Sequence, residues 1–166
     1  MDYGSSETAL QIIDASISWG YNYYLDCTNR AVWSTFQNPS KDFSLYFGVL
    51  TPKLDRFNDV RADAMLIGPG FPSLTDEEWA KVPDAVKEDP IWNDETVGAL
   101  LFEGASDVSN CTFLGMIMQF ASEVEEGRCT FNDWFGQDAS WPLLDYDDII
   151  IPIADATYYS LSLIHI

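Results

Sequence analysis

The feature that most constrains this chain is a series of short apolar runs with a two-residue period, each bounded by Gly, Pro, Asn or Asp. Phe43, Leu45, Phe47 and Val49 alternate with Ser44, Tyr46 and Gly48. Successive side chains of a strand point to opposite faces, so this run lays one apolar row against a core. The same reading gives a strand from Ile17 and Trp19 through Tyr21 and Tyr23. Residues 31–36 form another, with Val32 and Phe36 on one face and Trp33 on the other. Ala62, Ala64 and Leu66 alternate with Asp63, Met65 and Ile67, and Gly68-Pro69-Gly70 ends that strand. Further strands are predicted over 97–102, 139–144, 148–153 and 156–160. Asn38-Pro39-Ser40 is a turn signal, which predicts a hairpin between the second and third runs. Many short strands with turns between them point to a mainly β fold, an antiparallel jelly-roll-like β-sandwich with one or two short helical inserts.

Helix is confined to those inserts. Thr75 followed by Glu78 has capping-box spacing, and Leu74 with Trp79 is spaced as a hydrophobic staple. A helix from about Asp76 to Lys81, stopped by Pro83, follows. Residues 111–122 carry Phe113, Leu114, Ile117, Met118 and Ala121 at the spacing of an amphipathic face, with Gly127 beyond as a stop.

Composition narrows the partners. The 166 residues include 47% apolar and 14% aromatic side chains, enough for one folded domain over 1–160 and too many for disorder. With 8 Lys+Arg against 27 Asp+Glu the net charge is −19, which repels nucleic-acid backbones and anionic lipid surfaces. No apolar run reaches the roughly 18 residues of a membrane span, so no direct insertion into a bilayer is expected.

Three stretches resemble known sequences. Asn29-Arg30-Ala31-Val32-Trp33 followed by Asn38 through Phe47 resembles the opening of the pre-peptidase C-terminal type of β-sandwich, with Ser44 where a second acidic residue is usual. Leu66 through Pro72, with Phe131, Phe135-Gly136-Gln137 and Trp141, is similar to an uncharacterised group of secreted or membrane-tethered sandwich proteins of bacteria and marine algae. These resemblances imply a jelly-roll-like fold and an extracytoplasmic setting, secreted or tethered at the cell surface, and they bring no catalytic residues. Leu161-Ser162-Leu163-Ile164-His165-Ile166 resembles the translated transposase end used to prepare sequencing libraries. On that resemblance 161–166 is an artefact and 1–160 is part of a longer protein. The alternative is a genuine apolar tail. His165 is the only histidine, so imidazole chemistry has no other candidate.

The remaining constellations each admit two readings. Cys111 and Cys129 are the cysteines closest in sequence, with Cys27 left over. A bridge between them requires the 111–122 helix to be short or the chain to double back, since bridged Cα atoms lie within about 7 Å; otherwise all three are buried thiols. Asn110-Cys111-Thr112 is a glycosylation sequon at Asn110. Asp145, Asp147 and Asp148 cluster just before a strand, either as oxygen ligands for calcium or as a solvated acidic turn. Trp19, Tyr21 and Tyr23, with Trp33 nearby, either stack on sugar rings or fill a core. There is no phosphate-binding glycine loop, nucleophile elbow or Ser–His or Cys–His partnership outside His165. The expectation is a non-enzymatic module that binds or presents a surface to a protein or glycan partner. Its alternatives are a carbohydrate-binding module, with calcium ordering a loop, and an accessory domain of a secreted hydrolase.

Overall fold

The structure, a computed structural model, describes residues 3–16, 31–49, 63–103 and 144–163. It is mainly β. The strands are β1 (Leu10–Gln11), β2 (Ala31–Gln37), β3 (Ser44–Val49), β4 (Asp63–Pro69), β5 (Val97–Phe102), β6 (Leu144–Ile150) and β7 (Thr157–Leu163). Between β4 and β5 lie α1 (Asp76–Lys81), α2 (Asp84–Lys87) and a 3₁₀ turn at Pro90–Asn93. Among the described residues, five strands form one mixed sheet in the order β1-β2-β7-β4-β5, while β3 and β6 pair separately. Among the described residues, β1 and β2 run parallel and the other paired strands antiparallel.

Most of the periodic runs become strands, but their partners differ from expectation. β2 and β3 do not form a hairpin: β2 pairs with β7 and β3 with β6. The cause is Asn38, whose side chain is fully buried. Its Nδ2 donates to the carbonyls of Ile151 (3.2 Å) and Ile153 (2.9 Å). Its backbone N–H donates to Ala156 O, and its carbonyl accepts from Asp155 N, both at 3.0 Å. These bonds carry the chain from one sheet to the other, because a buried amide must find its partners wherever the fold supplies them. The predicted 148–153 strand is displaced to Leu144–Ile150. Beyond it, Ile151 N–H donates to Phe43 O at 3.0 Å, and Asp155 turns the chain with φ of +59°. The last strand continues past 160 to Leu163, as the apolar residues of the tail allow, with Leu161 fully buried opposite both Trp33 and Met65.

The five-stranded sheet is apolar on both faces. Ala64, Met65, Leu66 and Ile67 of β4 are completely buried, so the alternation read from the sequence separates two cores rather than a core from solvent. On one face Trp33, Met65, Ile67, Ala99 and Leu161 meet Val82 and Val86 from the helical excursion. On the other, Phe36, Leu66 and Tyr158 meet Leu45 and Ile151. Leu45 and Ile151 thus border one of these clusters and the helices the other.

The helical excursion starts as its sequence dictates. Thr75 Oγ1 accepts from Glu78 N–H at 3.2 Å and Glu78 Oε2 accepts from Thr75 N–H at 2.8 Å, closing the capping box. Leu74 and Trp79 both pack on the core. Pro83 ends α1, and it also sets up α2, which the sequence reading lacks. The 3₁₀ turn begins with Pro90 at its first position, where a missing N–H is harmless. Trp92 then meets Trp79 edge to face, centroids 5.0 Å apart, and its Nε1 donates to Val86 O at 2.8 Å.

Candidate functional site

A cleft of about 360 Å³ opens where the 3₁₀ turn overhangs the ends of β4, β5 and β7. Pro90 and Ile91 form one wall, Gly68, Pro69 and Val97 another, and Thr157, Tyr159 and Asp94 complete the lining. It lies on the helix-covered face, since Ile91, Val97 and Tyr159 all border that core.

Each wall is held by bonds beneath the surface. The buried Asp89 carboxylate accepts from Ser6 N–H (2.9 Å), Ser6 Oγ (2.6 Å) and Ile91 N–H (3.0 Å). It therefore ties the N-terminal segment to the start of the 3₁₀ turn and sets Pro90 and Ile91 in place. Opposite, the carbonyl of Pro69 accepts from the Tyr158 hydroxyl at 2.8 Å. Burial pushes the Tyr158 phenol above its ordinary pKa, against a smaller opposing effect of the hydrogen bond from Ile153 N–H. Tyr158 lies flat against Gly68, where a Cβ would overlap its ring. Gly98 admits a second close approach, with the carbonyls of Phe71 and Pro72 in the space a Cβ would fill. Ala99 N–H donates to that Pro72 carbonyl at 2.9 Å.

Two side chains give the cleft its chemistry. Asp94 Oδ1 accepts from Thr96 Oγ1 (2.7 Å) and Thr96 N–H (2.9 Å). These bonds, the hydroxyl's first, hold its carboxyl below the usual carboxylate range, so it is ionised at neutral pH. The Tyr159 ring is half-buried, braced edge to face by Trp33 with centroids 6.0 Å apart. The arrangement is a recess of mixed polar and apolar lining with one aromatic ring, the hydroxyls of Thr157 and Tyr159, and one negative charge. Among the described residues, no group of three or more His, Cys, Asp or Glu side chains converges as metal ligands would.

The residues singled out from the sequence fall elsewhere. Trp19, Tyr21, Tyr23, Cys27, Asn110, Cys111, Cys129, His165 and the 111–122 helix lie outside the described residues. Asp145, Asp147 and Asp148 stand within β6, not on a turn before it. Pairing shifts between Leu45↔Ile149 and Phe47↔Tyr146, so Asp147 and Asp148 together oppose Tyr46 in a bulge. Trp33 is a core residue with no exposed surface, and its Nε1 has no partner among the described residues. Sequence reasoning missed Asp94, Thr157 and Tyr159. The Asp94-x-Thr96 spacing is a local turn signature that marks the first, whereas nothing local brings Tyr159 beside it. Among the described residues, no helix is long and apolar enough to cross a membrane. No family model matches the chain, and no curated protein or solved structure matches it.

Proposed function

We propose that this protein is a non-enzymatic, extracytoplasmic β-sandwich module that acts by binding. The sandwich reading draws support from the apolar contact between the sheets, where Leu45 and Ile149 meet Phe36, Leu66 and Tyr158. The extracytoplasmic setting rests on the resemblances carried by residues 29–47 and 66–72. The observation that carries the non-enzymatic part of the reading is how the acidic side chains are used. Asp14, Glu78 and Asp89 each accept hydrogen bonds from a nearby backbone N–H and a hydroxyl, or from several such donors. Carboxylates committed in this way organise turns and caps, and a catalytic acid–base pair needs carboxylates poised toward a substrate.

The test is a turnover assay with chromogenic esters, glycosides and peptides at pH 5, 7 and 9. The expected result is no rate above buffer. Turnover that a single carboxylate-to-amide substitution abolishes would overturn the reading.

A further inference from the structure

We propose that the cleft between the 3₁₀ turn and the ends of β4, β5 and β7 is a binding site for a small organic cation, an ammonium group on a compact apolar body. The proposal rests on the binding reading above and names its ligand class. Pro69, Pro90, Ile91 and Val97 supply the apolar part of the lining, and the cleft's volume of about 360 Å³ admits a small molecule. Tyr159 supplies an aromatic ring, and rings attract cations to their faces. Asp94 supplies the single charge, and both of its bonds from Thr96 fall on Oδ1, leaving Oδ2 for a ligand. A sugar would ask for several polar partners, but among the described residues the polar side chains lining the cleft are those of Asp94, Thr157 and Tyr159 alone. An anion is opposed both by Asp94 and by the overall charge of −19, which enriches cations near the surface. The Asp89–Ser6 and Tyr158–Pro69 bonds hold the walls before any ligand arrives, which lowers the ordering cost of binding.

The experiment compares choline with its neutral carbon isostere, 3,3-dimethylbutan-1-ol, by NMR titration of the intact chain at low ionic strength. Choline should saturate with a millimolar Kd, and the isostere should bind about fivefold more weakly or worse, the scale of one cation–π contact. Asp94→Asn should weaken choline about fivefold, while its amide oxygen preserves the turn with Thr96. Tyr159→Leu should do the same, with a thermal melt to show that it folds; Asp94→Asn carries the test if it does not. Equal affinity for both probes, indifference of choline to Asp94→Asn, or no saturable binding would each overturn the proposal. None of these outcomes touches the turnover result, so the broader reading stands or falls separately.

Discussion

The hydroxyl of Tyr158 accepts a hydrogen bond from Ile153 N–H at 2.9 Å and donates one to Pro69 O at 2.8 Å. One phenol oxygen thereby joins the start of β7 to the end of β4 and to the loop that leaves β6. Its ring meanwhile stacks on Phe36 and meets Phe71 edge to face.

Tyr158→Phe keeps the ring and removes both bonds, leaving a part-buried donor and acceptor without their partner. Urea denaturation should show a loss of about 1–3 kcal/mol. Wild-type stability should also fall as pH rises above about 10. The folded-state phenol is raised above its ordinary value, so the unfolded chain gives up its proton first and gains from alkali. The Tyr158→Phe variant should show a shallower decline, with what remains coming from groups such as Lys81 whose pKa Glu103 also raises. A comparison of denaturation midpoints between about pH 8 and about pH 12 would reveal the difference.

Gly98→Ala places a methyl group against the backbone oxygens of Phe71 and Pro72. Backbone held by the Ala99–Pro72 hydrogen bond cannot swing aside as a long side chain would. A cost of about 1–3 kcal/mol is expected, read as a lowered melting temperature. A melt unchanged from wild type would show that this crossing is looser than described.

Leu161→Ala removes a buried side chain from the strand at the sheet's centre, between Trp33 and Met65. The expected loss is about 2–5 kcal/mol by chemical denaturation. A loss below about 1 kcal/mol would mean that residues beyond Ser160 are dispensable to the core.

Trp33→Phe should be far milder than its burial suggests. The smaller ring gives up packing, but the substitution also removes an indole N–H that has no partner among the described residues. These opposed effects are each about 1–3 kcal/mol, so the denaturation midpoint should move little. Trp33→Ala, which forfeits the whole ring, should cost about 3–5 kcal/mol.

What the sequence discloses is what neighbouring residues decide. The Thr75–Glu78 box is closed within one helical turn, and its helix falls where its spacing puts it. The 97–102 strand matches for the same reason. α2 and the 3₁₀ turn are too short to show a period, and they depend on Val86, Ile91 and Trp92 finding the sheet. The start of β6 is hidden because the Asp147–Asp148 bulge breaks its alternation. Pairing partners are decided at long range: Asn38 looks like a hairpin turn, and only the carbonyls of Ile151 and Ile153 divert it. The cleft is hidden by the same kind of distance, since Asp94 announces its own turn but not the tyrosine across from it.

The position of β7 has a consequence for how the molecule is made. β2 and β4 are both paired to it, and neither is paired to the other. On a ribosome, both would wait as open edges until residues 157–163 emerged. Joining strands so distant in sequence is slow, because a long loop must close before any contact repays it. Unpaired apolar edges that persist through synthesis invite association with other chains. Yield of this protein should therefore depend on chaperone supply and growth temperature more than its final stability would suggest.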